Sequence, residues 1–511
     1  MGNFKKSQSL DVNLKPIIFI LFLLLLTIFS LIAPADHDIW WHLKTGEYII
    51  QTHSIPHQDI FSYTAESVWT PYSWLAEIIY YLGVSFLGFN FLIFLRAALL
   101  IATFGITAFV LYRWKYNFVL TIILSLLFSF LALSLWGDGP YLFSAFFLTI
   151  FFLTLLQWER TKSKIIWILP PLTLLWVNIH INFAYGLALV IYFAVFDFLS
   201  IVFGKITAKK KLNWADIRNS LPLFVVTVIS ILATFLNPFG LRIYREVFHM
   251  ANLPISYAVV EEFASPDFHL FYGKVFLAIT ILAVIILALS PKKPDLRSML
   301  IFIFILVLSL YSGRNIIFLS VLWLLIVTES ASGLAEELSK KTRRANTQQI
   351  KNNLLARSLS IRHIVIINFF AWLAVVFLII LLAYKILTTG VLREYENEKI
   401  FPVQAVEYLC KHPEIKGNMF NDYSWGGYII YKTYPERKVF IDNRNQLYEK
   451  SIFEKFAGVV LLTKDWEALD EEYSFDYVII NKEYPLEEFL NHSPKWRLIY
   501  EDKIASIFVK K

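Results

Sequence analysis

Two carboxylates one residue apart, Asp36 and Asp38, stand where the chain leaves its first long apolar run, with His37 between them and Trp40, Trp41 and His42 following. A carboxylate costs about 2.5 to 3.5 kcal/mol at a bilayer centre and less at its edge, so two at this point need partners, a watery cavity or open solvent. Asp38 or Asp36 could take a proton from a hydroxyl nucleophile. Equally, the pair could end a helix and meet water, with Trp40, Trp41 and His42 as an interfacial aromatic belt. Spacing alone leaves both readings open. No cofactor is certain from these residues. Mg²⁺ or Mn²⁺ on Asp36 or Asp38, beside a lipid phosphate, would suit hard oxygen ligands. His42, His53, His57 and Asp59 fit no compact zinc motif.

Other polar turns are expected at the same depth. Asn178, His180 and Asn182 lie in the turn from Trp176 to Gly186, Asn237 to Gly240 closes another, Glu261 to Asp267 carries Glu262, and Arg314 with Asn315 marks a tight turn. One His or Asn in such a turn caps a helix more readily than it binds a ligand. Together with Trp41, His42 and Glu262 they would ring one cavity. Arg314 could hold a phosphate through paired hydrogen bonds, or snorkel to lipid headgroups. The sequence has no phosphate-cradling glycine loop, dinucleotide fingerprint or Gly-x-Ser-x-Gly.

The elements that must position these residues are membrane helices. With 57% hydrophobic and 17% charged residues over 511 positions, and mean hydropathy +0.57, the chain is too apolar for a soluble globule. About eleven spans are expected, at 16–34, 90–112, 118–135, 140–157, 165–178, 183–203, 220–236, 272–290, 298–312, 314–328 and 363–387. The first reads as a retained anchor rather than a cleaved signal. Residues 74–87, interrupted by Glu77 and two tyrosines, read as an interfacial helix. The net charge of +7 sits in short loops, where it sets topology, so nucleic acid is not an expected partner. Lys5, Lys6, Lys15, Arg113, Lys115, Arg160, Lys205, Lys209, Arg218, Lys292 and the cluster from Lys340 to Arg362 alternate with loops holding only Lys44, Arg242, Arg245 and Arg314. The basic side is the cytoplasmic one. The N-terminus is then cytoplasmic, while the Asp36 loop and the C-terminus are external. The polar stretch 329–363 reads as a surface helix held to anionic lipid. Cys410, the lone cysteine, excludes an intramolecular disulfide.

The expected fold is a polytopic α-helical membrane domain over residues 1–389, with its first outer loop at 35–89, followed by an external α/β domain at 390–511. In the latter, helical patterns at 405–411, 452–461 and 486–490 alternate with β-rich runs at 439–442, 477–481, 496–500 and 505–509. Trp425, Gly426, Gly427 and Tyr428 begin a helix, and Asp442 and Arg444 follow a strand, so both turns could share one edge of a sheet and grip an acceptor. A structural reading competes: Trp425 packs in the core, and Asp442 pairs with Arg444.

The first loop, with Asp36-x-Asp38-Ile-Trp-Trp-His-Leu-x-Thr-Gly46, Ile55-Pro56, Asp59-x-Phe-Ser-Tyr-Thr-Ala65 and Trp74-Leu-x-Glu77, resembles bacterial membrane proteins related to the GT-C glycosyltransferases. The turns at Trp176 to Gly186, Asn237-Pro238 and Arg314 extend that resemblance over most of the chain. The run from Tyr423 to Ile430 and that from Val439 to Asn445 are similar to a region of oligosaccharyltransferase catalytic subunits. Two features depart from these patterns. Gly137-Asp138-Gly139-Pro140 stands where relatives often carry Arg-Pro, and Gly426 replaces the motif Asp. The resemblance implies inverting transfer of a sugar from a polyprenyl-phosphate carrier to a glycan, lipid or protein acceptor, at the outer face of a bacterial cytoplasmic membrane. Asp38 or Asp36 would be the base. Arg314, His180 and Asn178 would hold the donor, and Trp425, Tyr428, Asp442 and Arg444 the acceptor. An oligosaccharyltransferase-like or glycan-ligating enzyme, and a non-enzymatic relative that binds lipid or glycan, remain alternatives.

Overall fold

The computed structural model of the chain describes residues 14–32, 36–65, 68–208, 218–251, 264–350, 373, 375–381, 384, 395–448 and 450–511. Every apolar run expected between residues 16 and 328 forms a helix. Five helices, Asn90–Arg113, Tyr141–Thr161, Phe183–Thr207, Phe271–Leu289 and Gly313–Lys341, are long and apolar enough to cross a membrane. Lys15–Leu31, Trp74–Leu87, Phe118–Ala132, Lys164–Ile179, Leu221–Ala233 and Leu296–Tyr311 are apolar but shorter. At 1.5 Å per residue, a helix of about 15 residues falls short of a hydrocarbon core roughly 30 Å thick. The expected span at 363–387 lies mostly outside the described residues.

Burial sorts the long helices. The most apolar stretch of Gly313–Lys341 is 89% buried and that of Phe271–Leu289 only 28%, so the first is central and the second lies at the rim. The central helix therefore starts from Arg314. That residue lies at the same end of the bundle as Asp36.

Beyond residue 395 the chain builds an α/β unit on four strands, β1 (Asn418–Asn421), β2 (Phe475–Asn481), β3 (Trp496–Glu501) and β4 (Ala505–Lys510), in the order β1-β2-β4-β3. β1 runs parallel to β2, and the other pairs are antiparallel. Tyr477, Val478, Ile479 and Ile480 are buried in succession, as a strand covered on both faces requires. Helices Val403–Lys411, Gly426–Thr433, Lys450–Val460, Trp466–Tyr473 and Pro485–His492 surround the sheet.

One expected strand is absent. Residues 439–442 do not join the sheet, and β1 takes that place. Their backbone is spoken for by other groups. Asn421 accepts from Phe440 N–H at 2.8 Å and donates to the Ile441 carbonyl at 2.8 Å, so a side-chain amide replaces a neighbouring strand. On the other side Val439 N–H donates to Phe61 O at 3.0 Å, and Tyr63 N–H donates to Val439 O at 3.2 Å. The first loop is thus paired to the C-terminal domain by backbone.

Two further contacts seal that junction. Trp40 lies within 5.0 to 5.6 Å of the rings of Tyr428, Tyr431, Phe89 and Phe401. Arg444, wholly buried, donates to Asp442 through Nε at 2.9 Å and Nη2 at 2.6 Å, and to Asp59 through Nη1 at 2.6 Å. Its guanidinium also lies 4.7 Å from the Trp69 ring and 5.1 Å from that of Phe61. Gly426 permits the helix that starts there to touch the same seam, because a Cβ at 426 would come within 2.3 Å of the Ile441 carbonyl oxygen.

Candidate functional site

Asp38 precedes helix Ile39–Thr52, yet its side chain makes no capping hydrogen bond. Its N–H instead donates to Asp36 Oδ1 at 2.9 Å, and Ile39 N–H to the Asp36 carbonyl at 3.3 Å. Asp36 is therefore the residue that shapes the turn. Both carboxylates are half-buried.

Asp138 is the neighbouring charge that acts most on Asp36, after the Asp38 N–H. The run Gly137 to Pro140 folds beneath the turn so closely that a Cβ on Gly139 would lie 2.6 Å from Asp36 Oδ2 and 2.2 Å from Tyr141 Cε1. Burial raises the pKa of Asp36 and the like charge of Asp138 adds to that, while the Asp38 N–H, the Arg314 guanidinium and the Tyr141 hydroxyl oppose it; the net shift is upward. Asp138 is itself held in a buried network, accepting from Tyr395 Oη at 2.9 Å and lying 3.5 Å from Arg96 Nη1. Arg314 lines a small recess with Leu135, Tyr141, Asn182, Ile317 and Phe318, 5.9 Å from the Tyr141 ring. Gly139→Ala is expected to displace Asp36 or Tyr141 and to destabilise the fold by about 1 to 3 kcal/mol without altering a polar group. Thermal unfolding checks this; an unchanged melting point would contradict the close Asp36–Gly139 approach.

His180 sits on the same side. Its Nδ1 lies 2.9 Å from Ser144 Oγ, which also accepts from Trp176 Nε1 at 2.8 Å. Burial holds His180 neutral, and the charge of Arg314 acts in the same direction. Tyr72 stacks edge-on at 6.1 Å from His180 and feels both Arg314 and Asp38. Arg314, Asp36, Asp138, Tyr72, Tyr141 and His180 thus form one polar cluster.

Asn178 is committed to holding the turn. Its amide donates to the carbonyls of Leu174 and Leu236 at 2.8 and 3.2 Å and accepts from Trp74 Nε1 at 3.1 Å. His42 Nδ1 pairs with Glu77 Oε1 at 3.1 Å, and burial pushes the His42 pKa down to about 3. Glu77 Oε2, Tyr80 Oη and Trp41 Nε1 are buried without a hydrogen-bond partner.

Trp425, Tyr428, Asp442 and Arg444, expected from the sequence to hold an acceptor, lie elsewhere, in the seam between the first loop and the C-terminal α/β unit. Trp425 and Tyr428 are 2% and 1% exposed, and Asp442 and Arg444 have no exposed surface. Trp425 Nε1 is taken by the Ile400 carbonyl at 2.9 Å. Asp442 and Arg444 are saturated by one another, by Asp59 and by Tyr448 Oη at 2.7 Å. In this arrangement no atom of the Asp442–Arg444 pair is presented to an acceptor. Their polar chemistry is spent on joining loop and domain, which an aspartate two residues from an arginine could not reveal without Asp59. Glu262 lies outside the described residues. Among the described residues, no three His, Cys, Asp or Glu side chains gather as a cation set.

Tyr72, Ser144 and the Asp59–Arg444 bond carry no motif in the sequence, and Asp138 stands out there only as part of a departure from the family pattern. The glycines flanking Asp138 were the available signal, since they mark a backbone that approaches something closely.

No family model matches the chain, and no curated protein matches it. Among solved structures, the apo-form crystal structure of the Archaeoglobus fulgidus oligosaccharyltransferase aligns at 13% identity and a TM-score of 0.45, covering 93% of this chain and 70% of that one.

Proposed function

We propose that the protein is an integral membrane glycosyltransferase that moves a sugar from a polyprenyl-phosphate carrier to an acceptor hydroxyl, at the outer face of a bacterial cytoplasmic membrane. The observation that carries this reading is the convergence of Asp36 with Arg314 in one cluster. A proton acceptor and a cation for departing phosphate are the two groups such a transfer needs. The acceptor oxygen attacks the anomeric carbon and its proton passes to the Asp36 carboxylate. The bond from that carbon to the phosphate oxygen breaks with inversion, and the electron pair leaves on the polyprenyl phosphate beside Arg314. Asp36 rather than Asp38 is the base in this proposal, because a raised pKa brings a carboxylate nearer to the working pH of a base. Neutral His180 and the Tyr72 hydroxyl would orient the sugar or phosphate through hydrogen bonds. The C-terminal domain, fastened to the loop that bears Asp36, would present the acceptor from above.

Lipid-linked sugars and envelope glycans from cells with and without the protein, compared by mass spectrometry, test this reading. A lipid-linked sugar should accumulate, and one glycan modification should disappear, when the protein is missing. Identical profiles would favour a non-enzymatic binder.

A further inference from the structure

The first helix, Lys15–Ile32, carries Lys15 at one end and leads to Asp36 at the other. At the Lys15 end, remote from the cluster just described, a cleft of about 490 Å³ is lined by Lys15, Tyr112, Arg113, Lys115, Tyr116 and Phe118. Three of its six lining residues are cationic and none is acidic. Arg113 and Lys115 form no ion pair with any described residue, whereas the nearby Lys292 is neutralised by Glu329 at 2.9 Å. Lys115 adopts φ 70°, a left-handed conformation seldom taken by a residue with a long side chain. In that conformation it lines the cleft rather than continuing the helix Ile106–Arg113.

We propose that this cleft binds the phosphate of an anionic phospholipid in the membrane leaflet at the Lys15 end of the bundle. Arg113 and Lys115 beside a concave, polar-walled space fit a phosphate diester. Helix Phe118–Ala132 begins at the cleft, with Asn117 capping Leu120 N–H, and the positive end of its dipole adds potential there. A free phosphate would use the same groups, but the surroundings favour a lipid. Phe109, Val119 and Ile123, at 52%, 54% and 55% exposure, lie one or two helical turns from the cations, where acyl chains of a bound headgroup would run. The lysine and arginine bias that assigns this end to the cytoplasmic side requires charge alone and no cleft.

The test uses the full chain purified in neutral detergent, with native mass spectrometry reading retained lipid. Phosphatidylglycerol, phosphatidylcholine and inorganic phosphate are the probes. Phosphatidylglycerol should be retained about tenfold better than phosphatidylcholine, and Arg113→Gln with Lys115→Gln should erase most of that preference. Inorganic phosphate should not displace the lipid. Should the double variant fail to fold, as judged by thermal unfolding, each single variant should still lose part of the preference. Equal retention of the two lipids, or an unchanged preference in folded variants, would reduce the cleft to a topology signal. Displacement by inorganic phosphate would assign it to the free anion and overturn the lipid site.

Discussion

Arg444→Ala is expected to destabilise the protein by about 3 to 5 kcal/mol and to free the C-terminal domain from the first loop. The size of the effect follows from what would be left behind. Asp59 and Asp442 have no exposed side-chain surface, so removing the cation strands two carboxylates in a space that water does not reach. Asp59→Asn should cost less, because Asp442 still neutralises the arginine. Thermal unfolding and the rate at which limited proteolysis releases the C-terminal part check both. A melting point within error of the parent for Arg444→Ala would show that the seam is held by Trp40 and its ring contacts instead.

The same triad sets an acid limit. Burial works against ionisation of Asp59, but the charge and hydrogen bonds of Arg444, with those of Ser62 and Phe61, outweigh it and hold the folded pKa below the ordinary value. A depressed carboxylate contributes stability above its unfolded pKa, about 3.9, and loses it only as pH falls through the lower folded value. The junction should therefore stay closed through mildly acidic pH.

Asp36→Asn is expected to lower turnover by about 10² to 10⁴, the share a positioned general base supplies. The amide can still accept from the Asp38 N–H, so the turn should persist. Because burial and Asp138 lift the Asp36 pKa, the acid limb of the rate profile should lie above the ordinary carboxylate range, with activity lost as pH falls through it. Arg314 opposes that lift, so Arg314→Gln should move the limb to still higher pH besides weakening phosphate stabilisation. Asp38→Asn, changed one residue away, should have the smaller effect.

Much of the bundle was legible because an apolar run between basic loops has few other outcomes. The turns bearing Asp36 and Arg314 could be placed at one end for the same reason. The number of full spans was not legible, since an apolar run of 15 residues such as Phe118–Ala132 looks alike whether it crosses a bilayer or stops short. The role of Asp138 was not legible, although its run departs from the family pattern, because its meaning lies in Asp36, with which its sequence neighbours share no period or motif. Arg444 and Asp442 were recognised as a pair, but Asp59, 385 positions before Arg444, turns them from an exposed binding edge into a sealed joint. The run from Val439 to Asp442 has the composition of a strand and would be one, had Asn421 and the first loop not taken its hydrogen bonds.

The central claim is that Asp36 removes the acceptor proton during sugar transfer from a lipid phosphate. The direct measurement incubates the purified chain, and its Asp36→Asn variant, with the lipid-linked sugar pool extracted from cells lacking the protein, in membranes from those cells, and follows each carrier species by mass spectrometry. The account predicts that the parent protein converts one lipid-linked sugar to free polyprenyl phosphate, and that the variant retains that species but consumes it about 10² or more times slower. Equal consumption by both proteins, or none by the parent, would contradict it.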